Sequence, residues 1–310
     1  MEPLPFDIPE ELAGQSSLGA DWAAWLERLP RLVAALAGEW ELTYDGPPWH
    51  GFTSLVVPVR NPSGPAALKV TFDGDDESLH EGLALRHWGG RGAVRLLRAD
   101  PHRRALLLER LHTEDLTGLP ELEACEIVAD AYRRIHVPAP PQLRTLTSYL
   151  STWNAGLAAL PYDGPIPRRL VEQAVSLADS FGTDPASIGT MIHGDLHYEN
   201  VLRADREPWL VIDPKPMSGD AHYEVGPLLW NRWDEMTATG NLRDAIRRRF
   251  HTVVDAAGFD EDRARDWVVV RAMHNALWTV DDARRLRRPI DAADQEWITR
   301  MISVAKAVQD

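Results

Sequence analysis

The sequence predicts an α+β fold in which a small lobe of antiparallel strands precedes a large helical lobe. Between residues 40 and 111, short apolar runs alternate with turns that contain Gly, Pro and Asn, which is typical of strands. After residue 112 the apolar residues recur mostly at intervals of three and four, which is typical of amphipathic helices. We therefore expect a first lobe over residues 1–111, with a helical extension over 1–40, and a second lobe over 112–310.

Each element of the two lobes follows from the period of its apolar residues. Strands are predicted at 40–42, 54–59, 66–70, 94–97, 105–109, 200–203 and 209–213. Helices are predicted at 10–40, 77–89, 121–136, 145–160, 167–181, 224–237, 241–256, 261–286 and 291–308. Short turns join the strands of 94–109 and of 200–213, so both segments are predicted to be hairpins.

The composition is that of an acidic chain long enough to bury a sizeable core. Its 310 residues are 44% hydrophobic, and the net charge is −14 at pH 7. This net charge weighs against nucleic acid or an anionic membrane as a partner, because phosphate contacts require clustered cations. The arginine clusters at 247–249 and 284–288 are expected to be solvated helix faces or ion-pair partners. The apolar runs are too short for a membrane span, and the first residues lack the pattern of a secretion signal. Cys125 is the single cysteine, which excludes an internal disulfide framework and suits a reducing cytoplasm. A monomer or weak dimer is expected.

The densest group of titratable residues is Met-Ile-His-Gly-Asp-Leu-His-Tyr-Glu-Asn-Val-Leu at 191–202. The hairpin that starts at Asn200 returns the chain to Asp213, so Asp195, Asn200 and Asp213 are expected at the same end of it. Carboxylate and amide oxygens suit Mg²⁺, and the remaining carboxylate can accept a proton from an attacking hydroxyl. A zinc site on the two histidines is excluded because no second His-rich motif follows and no further ligand cysteine is available. The histidines are expected to hold the loop backbone instead.

A lysine and a glutamate of the first lobe form a second candidate pair. Lys69 ends an apolar strand, and Glu81 lies in the helix that follows, with Glu77 as a competing partner. An ion pair between a strand lysine and a helix glutamate directs an ammonium group at nucleotide phosphates in kinase-type lobes. The pair therefore indicates a phosphate-binding function for the first lobe.

The segment 46–57 occupies the place of a phosphate-covering loop between two strands. Its glycines do not spell G-x-G-x-x-G, so it is not a glycine-rich loop of that kind. Backbone N–H groups from Gly51 to Ser54, together with the hydroxyls of Thr53 and Ser54, are nevertheless candidates for contact with phosphate oxygens.

The order of these motifs resembles the aminoglycoside phosphotransferase superfamily, which has a two-lobed, protein-kinase-like fold. The resemblance is carried by Lys69, Glu81, Leu-Leu-Glu-Arg-Leu at 107–111, the motif at 193–200 and Ile-Asp at 212–213. Within that superfamily, the sequence resembles most narrowly the branch of streptomycin 6-phosphotransferases and hydroxyurea phosphotransferases. That narrower similarity is carried by the motif itself, Glu-Pro-Trp-Leu at 207–210 and Ile-Asp-Pro-x-Pro at 212–216. The resemblance extends from about residue 40 to the C-terminal helices.

The resemblance implies a catalytic role for three residues. Asp195 is the general base, or orients the acceptor hydroxyl, while Asn200 and Asp213 hold Mg²⁺. The implied reaction is an in-line transfer of the γ-phosphoryl group to a hydroxyl.

The resemblance also implies how ATP is held. Lys69 contacts the α- and β-phosphates and pairs with Glu81. The carbonyl of Glu109 and the N–H of Leu111 face adenine.

The acidic net charge suits a cationic small molecule as the acceptor, and the alternative is that it serves only solubility. Trp278, Asp281 and Asp282 lie on one helix face, where indole and carboxylate groups suit a guanidinium or ammonium sugar. Further candidates come from the motif and from the helical lobe: Tyr198, Glu199, Asp220, His222, Glu224, Trp230, Asp234, Glu235 and His274. The alternative for these aromatic and acidic faces is a helical core with a solvated rim.

We therefore expect an ATP- and Mg²⁺-dependent O-phosphotransferase that acts on an aminoglycoside such as streptomycin. The alternatives are a kinase of hydroxyurea or another small metabolite, or a catalytically inactive, kinase-like nucleotide-binding protein. Lys69, Asp195, Asn200 and Asp213 are all present, which argues against the inactive protein because such proteins usually lack at least one of these groups.

Overall fold

The computed structural model describes residues 4–309, which form α-helices, β-strands and short 3₁₀ helices. The α-helices are α1 Glu10–Gly14, α2 Ala20–Glu39, α3 Glu81–Trp88, α4 Glu121–Ile135, α5 Leu146–Ala158, α6 Arg168–Thr183, α7 Gly226–Trp230, α8 Trp233–Ala238, α9 Leu242–Ala257, α10 Glu261–Arg285 and α11 Ala292–Ala307. The strands are β1 Thr43–Tyr44, β2 Trp49–His50, β3 Ser54–Asn61, β4 Gly64–Thr71, β5 Leu96–Asp100, β6 Ala105–Glu109, β7 Val137–Pro138, β8 Thr190–Ile192, β9 Val201–Arg203, β10 Trp209–Val211 and β11 Met217–Gly219. The 3₁₀ helices are Gln15–Leu18, Leu116–Gly118, Pro185–Ser187, Tyr198–Asn200 and Ala221–Val225.

The chain forms two compact units. The first contains the described residues up to Thr113 together with Arg203–Lys215, and the second contains Glu114–Leu202 and the residues from Pro216 onward. Each unit has its own hydrophobic core. None of the helices within 4–309 combines the length and apolar character that a membrane crossing requires.

The first unit is built on an antiparallel sheet with the strand order β1-β3-β4-β6-β5, in which β2 also pairs with β3. Lys69 of β4 lies opposite Val56 of β3 and Leu106 of β6. Because successive side chains of a strand point to opposite faces, Leu68 and Val70 share one face and Lys69 points to the other. The face of Leu68 and Val70 is covered by side chains of α2, namely Trp25, Leu29, Val33 and Leu36. Lys69 therefore points away from this core.

The strand predicted at 40–42 is wrong. The Trp40 N–H donates to the Leu36 carbonyl over 2.9 Å, so these residues end α2, and β1 begins only at Thr43. Trp40 and Leu42 are both buried in the core of the first unit. Burial at a helix end, and not strand pairing, accounts for their apolar character.

The helix predicted at 77–89 begins later, at Glu81. The Asp75 carboxylate accepts hydrogen bonds from the N–H groups of Glu77 and Ser78, over 3.1 and 3.4 Å, and these bonds hold a turn before the helix. The helix ends at Trp88, and the next residue, Gly89, has a φ of 59°, the left-handed conformation common after a last helical turn. The delayed start places Glu81 in the first turn of α3.

The second unit is mainly helical, as predicted, but it contains a three-stranded sheet that the sequence did not predict. Its order is β11-β8-β7, and both pairings are antiparallel. Ile192 of β8 belongs to the core of this unit, together with Tyr149, Phe181 and Trp267. Strands of two or three residues are too short to show an apolar period, so this sheet leaves no clear pattern in the sequence.

The helix predicted at 224–237 is divided into α7 and α8. Arg232, which lies between them, has a φ of 51°, a left-handed conformation that interrupts a helix. The carbonyls of Leu228 and Asn231 accept hydrogen bonds from the buried Arg249 guanidinium over 2.7 and 2.5 Å. These side-chain bonds replace helical bonds at the break, and periodicity alone does not reveal them.

Candidate active site

Lys69 and Glu81 form a buried ion pair in the first unit. The side chains are 5% and 3% exposed, and Lys69 Nζ lies 2.8 and 2.7 Å from the two carboxylate oxygens of Glu81. Burial raises the pKa of Glu81, and the Lys69 charge opposes that rise. A buried pair of this kind costs desolvation energy, which is a reason to look for a function beyond stability.

Asp213 joins the same pair. Its Oδ1 lies 2.5 Å from Lys69 Nζ and 3.4 Å from Lys215 Nζ. Burial lowers the pKa of Lys69, but the charges of Asp213 and Glu81 outweigh it and raise that pKa above its ordinary value. Asp213 has a φ of 54°, a left-handed conformation that is uncommon outside glycine and clusters at functional sites.

The predicted phosphate-covering loop is tied down by its own hydrogen bonds. The Gly51 N–H donates to the Ser54 carbonyl over 2.9 Å, and the Thr53 hydroxyl donates to Asp75 Oδ2 over 2.8 Å. Ser54 is buried at the start of β3. The role of Gly51, Thr53 and Ser54 in binding phosphate stays a prediction, and nucleotide binding there requires some of these bonds to be exchanged.

Glu109 ends β6, and Leu111 follows two residues later. The Glu109 carboxylate accepts from Arg206 Nε and from the Arg95 N–H, the latter over 2.7 Å. Arg206 also donates to the carbonyl of Ala93 over 2.6 Å. These bonds fix the end of the strand, whereas the predicted contacts of Glu109 and Leu111 with adenine stay a prediction.

In the second unit, the peptide of Gly194 is held from both ends by buried side chains. Its N–H donates to Glu224 Oε1 over 2.7 Å, and its carbonyl accepts from the Arg271 guanidinium. Gly194 has a φ of 84°, in the region that favours glycine. Gly226 lies close by, since a Cβ there would meet Arg271 Cδ at 3.0 Å. These contacts fix the backbone immediately before Asp195.

The loop that follows is closed by its own polar residues. The Asp195 N–H donates to His193 Nδ1 over 3.2 Å, which is the kind of backbone contact predicted for this histidine. Asn200 Nδ2 donates to the Asp195 carbonyl over 2.9 Å and lies 3.1 Å from His197 Nε2. Both contacts engage the amide nitrogen of Asn200, so the amide group is held in a fixed orientation within the loop.

Tyr198 and Glu199 occupy opposite environments in this loop. Tyr198 is buried, and its hydroxyl lies 3.3 Å from Cys125 Sγ and 3.5 Å from the Leu228 carbonyl. Arg249 lies over its ring. Glu199 is exposed. Tyr198 therefore packs in the interior of the second unit. Acceptor binding by Tyr198 or Glu199 stays a prediction.

The acidic acceptor candidates lie near arginines or in solvent. Glu235 pairs with Arg232 over 2.6 Å. Asp281 and Asp282 pair with the arginines three residues later, over 3.1 and 2.9 Å, and Asp234 is exposed. Pairs of this spacing are common on solvated helix faces.

The aromatic acceptor candidates are more buried. Trp230 packs under the Arg271 guanidinium. Trp278 contacts Trp153, with ring centroids 5.3 Å apart, and its Nε1 is buried without a hydrogen-bond partner among the described residues. Both ring nitrogens of His274 are also buried without a hydrogen-bond partner among the described residues. Burial lowers the pKa of His274 to about 4, so the ring is neutral at pH 7.

Asp213 belongs to the first unit, whereas Asp195 and Asn200 belong to the second. The predicted convergence of these three residues therefore stays a prediction. What the structure establishes is the local order within each unit: Lys69, Glu81 and Asp213 in one, and Asp195 and Asn200 in the other.

Comparison with known proteins identifies the family. Residues 39–283 match the model of the aminoglycoside/hydroxyurea antibiotic resistance kinases. The chain belongs to this family. It is 38% identical to a streptomycin 6-kinase of Streptomyces glaucescens, over 89% of this chain and 92% of that protein. It is equally 38% identical to a hydroxyurea phosphotransferase of Kitasatospora aureofaciens, over 89% of this chain and 81% of that protein.

The fold of this kinase is protein-kinase-like, which confirms the prediction from its motifs. An aminoglycoside phosphotransferase solved with ADP and hygromycin B matches it with a TM-score of 0.57 at 16% identity, over 89% of this chain and 98% of that chain. The predicted class of enzyme is also confirmed: family membership makes the chain an ATP-dependent phosphotransferase that acts on a hydroxyl group of a small molecule.

Sequence reasoning missed several residues that organise the site of this kinase. They are Asp75, Arg206, Lys215 and Arg271, and the backbone contact of Glu224, which the sequence indicated only as an acceptor candidate. Most of their contacts join residues far apart in the chain, which no local spacing marks; the exception is Lys215, which lies two residues after Asp213. The one available signal was charge within otherwise buried segments, as in Tyr-Glu-Val-Gly-Pro at 223–227.

Proposed function

We propose that this kinase transfers the γ-phosphoryl group of ATP to the 6-hydroxyl of streptomycin, with Mg²⁺ as the required metal. The observation that carries the proposal is the 38% identity to a streptomycin 6-kinase over nearly the whole of both chains. The ordered loop around Asp195 supports a catalytically active protein rather than an inactive relative. The equal identity to a hydroxyurea phosphotransferase makes hydroxyurea the second candidate acceptor.

The donor set of the chain fits Mg²⁺. Asp213 offers a carboxylate, and Asn200 offers an amide oxygen whose own N–H₂ group is engaged with the loop. Among residues 4–309, no group of three or more His, Cys, Asp or Glu side chains is placed to hold a metal. This donor set suits Mg²⁺, which takes few protein ligands and completes its shell with phosphate oxygens and water. When bound, Mg²⁺ neutralises charge on the phosphates.

Lys69 positions the nucleotide in this proposal. Its ammonium group is fixed by two bonds to Glu81, so it is ordered before ATP binds. An ordered ammonium loses little entropy when it contacts the α- and β-phosphates, and burial strengthens the contact.

Asp195 acts on the acceptor. Its backbone is bonded on both sides, through its N–H to His193 and through its carbonyl to Asn200. The carboxylate therefore starts from a fixed backbone and orients the attacking hydroxyl, from which it accepts the proton. Positioning of this kind, together with electrostatic stabilisation, supplies most of the catalysis in phosphoryl transfer.

Among the acceptor candidates, this proposal assigns the acceptor contacts to His274 and Trp278. Their buried nitrogens lack partners among the described residues, and a buried polar atom without a partner costs about 1–3 kcal/mol. Hydrogen bonds to a hydroxyl-rich ligand, or to ordered water, remove that cost. A ligand contact would stabilise the exposed Asp281 and Asp282 less, since each is already paired with an arginine.

The test is an ADP-release assay on the purified protein with streptomycin, other aminoglycosides and hydroxyurea, each with and without Mg²⁺. We expect Mg²⁺-dependent ADP release with streptomycin and a product that carries one added phosphoryl group at the 6-hydroxyl, located by mass spectrometry and NMR. Release with hydroxyurea alone would establish the second candidate. ATP binding without acceptor-dependent turnover for any compound would instead favour the inactive protein.

A further inference from the structure

Lysine is rare in this chain, and two of its three lysines meet at one carboxylate. Of the 33 basic residues, 30 are arginine, and the lysines are Lys69, Lys215 and Lys306. Lys69 and Lys215 both approach Oδ1 of Asp213, at 2.5 and 3.4 Å. Their two ammonium nitrogens are therefore no farther apart than the sum of these distances. A chain that uses arginine almost everywhere else places two compact ammonium groups side by side here.

Lys215 is held in place by the chain around it. It lies between Pro214 and Pro216, both buried, and a residue before proline is restricted to extended conformations. Its side chain is 14% exposed, and its Nζ lies 3.7 Å from Asp75 Oδ2 as well as near Asp213. The ammonium group thus lies close to two carboxylates, on a side chain that is mostly buried.

Asp75 connects Lys215 to the loop that begins at Gly51. The same Oδ2 that faces Lys215 accepts from the hydroxyls of Thr53 and Ser78, each over 2.8 Å. Burial raises the pKa of Asp75, but the Lys215 charge and these hydrogen bonds outweigh it and keep that pKa below its ordinary value. A carboxylate that stays ionised in this position keeps the lysine charged and aligned with the loop.

We propose that Lys215 is a second phosphate-binding lysine, which contacts the terminal phosphate of ATP while Lys69 contacts the inner phosphates. The proposal rests on the proposed function, because it assumes that this site binds ATP. Two neighbouring ammonium groups repel each other, so an anion that both can reach is favoured over either lysine alone. A compact ammonium fits beside Asp213 and Lys69 where the wide fork of an arginine requires more room and a planar partner.

Asp75 is the positioning residue of this arrangement. Its carboxylate contacts both Lys215 and the Thr53 hydroxyl, so the lysine and the loop move together. Loss of Asp75 is expected to weaken terminal-phosphate recognition through Lys215 without touching the nucleotide itself.

The first test compares nucleotide binding in Lys215→Met with binding in Lys306→Met, the matched control at the exposed third lysine in the last turn of α11. We expect Lys215→Met to weaken binding of a non-hydrolysable ATP analogue about 10- to 100-fold, as for loss of a hydrogen bond to a charged group. ADP, which lacks the terminal phosphate, should bind almost as well as to the wild type. Lys306→Met should bind both nucleotides normally.

Three results would overturn the proposal. They are unchanged analogue affinity in Lys215→Met, an equal loss for ADP and the ATP analogue, and full recovery of analogue binding in Lys215→Met when Asp75 is also changed to Asn. The third result would mean that Lys215→Met weakens binding only because it leaves the Asp75 charge unpaired, and not because a contact with phosphate is lost. A melting curve of each variant identifies a folding defect, and Lys215→Arg, which keeps the charge, then serves as the second variant and should retain fold but not full analogue affinity.

The binding test requires no acceptor, so it separates this inference from the proposed function. If the wild-type protein binds ATP but phosphorylates no acceptor, the acceptor assignment is refuted. The phosphate-binding role of Lys215 is then still tested by the nucleotide affinities of the variants. Wild-type protein that fails to bind ATP refutes both.

A second test uses an ATP derivative with an acyl group on its terminal phosphate. A nearby lysine ε-amine attacks the acyl carbonyl, the bond from carbonyl carbon to phosphate oxygen breaks, an amide forms, ATP leaves and a proton passes to solvent. We expect ATP-protected acylation of Lys215, found by peptide mass spectrometry, and none at Lys306. Labelling of Lys69 without Lys215 would place the terminal phosphate away from Lys215 and overturn the proposal.

Discussion

Glu224, a carboxylate with no solvent exposure, accepts a hydrogen bond of 2.7 Å from the N–H of Gly194, the residue before Asp195. Arg271, which lies on α10, donates to the carbonyl of the same glycine. The proposed catalytic aspartate therefore depends on two buried charged residues that lie outside its own motif. Tyr132 adds a further connection, because its hydroxyl donates to the Glu224 carbonyl over 3.0 Å.

Glu224 is expected to make stability depend on pH. Burial raises its pKa from 4.5 to about 7, against the opposing effects of the Gly194 hydrogen bond and the Arg271 charge, while the nearby Asp195 charge adds to the rise. The folded protein thus binds this proton more tightly than the unfolded chain does, and the contribution of Glu224 to stability falls as pH rises from about 4.5 to 7. Urea unfolding at several pH values should show wild type losing up to about 3 kcal/mol relative to Glu224→Gln over that range. A difference that does not change with pH contradicts this.

Gly194→Ala is expected to reduce turnover more than it reduces stability. A side chain at a φ of 84° costs roughly 1–2 kcal/mol, and relaxation of the peptide displaces the hydrogen bonds to Glu224 and Arg271. We expect kcat to fall at least tenfold while ATP affinity is retained. The matched control is Gly258→Ala, which has a φ of 70° at the end of α9 and should lose similar stability without losing kcat. Equal kcat losses in both variants would show a general effect of destabilisation.

Asp195→Asn is expected to lower kcat by about 10²–10⁴-fold and to leave ATP affinity nearly unchanged. Asparagine keeps the backbone bonds to His193 and Asn200, so the loop should keep its shape. The measurement is steady-state kinetics together with nucleotide titration. Asp262→Asn, at an exposed residue in the first turn of α10, is the control for loss of one negative charge. Turnover that survives in Asp195→Asn would remove the general-base role.

Asp213→Asn is expected to abolish the gain in nucleotide affinity that Mg²⁺ produces. Asparagine tolerates the left-handed φ of 54°, so this variant removes the charge without adding backbone strain. Lys69 keeps its two bonds to Glu81, and the melting temperature should change little. ATP titrations with and without Mg²⁺ provide the measurement. An intact Mg²⁺ effect in the variant would mean that Asp213 is not a metal ligand.

The sequence predicted the local contacts of the candidate site better than the long-range ones. The pairing of Lys69 with Glu81 was predictable because an apolar strand contains the lysine and the helix that follows contains the glutamate. The catalytic roles of Asp195 and Asn200 stay a prediction, but one short motif already placed the two residues in the same loop. The contact of Glu224 with the Gly194 backbone was not predictable, because the two residues are 30 positions apart and a buried acid has no characteristic spacing.

The secondary structure was likewise predictable where it depends on a long local pattern and not where it depends on short or distant contacts. Long helices such as α4 and α10 end within a residue of their predicted limits because their apolar faces repeat over many turns. The pairing of β7 and β11 with β8 was missed because each has only two or three residues. The break at Arg232 was missed because it depends on hydrogen bonds from Arg249, a residue on another helix.

The acceptor candidates can be separated by substitutions that preserve shape. Trp278→Phe keeps the aromatic contact with Trp153 but removes the buried Nε1–H, so we expect a higher acceptor KM and an unchanged ATP KM. Neutralising Asp281 and Asp282 together should change acceptor KM less than about twofold, since exposed pairs with arginine contribute little. The opposite result, a large rise in acceptor KM for the double aspartate variant alone, would assign the cationic groups of the acceptor to that face of α10. Equal effects on both KM values in Trp278→Phe would mean that the indole only packs.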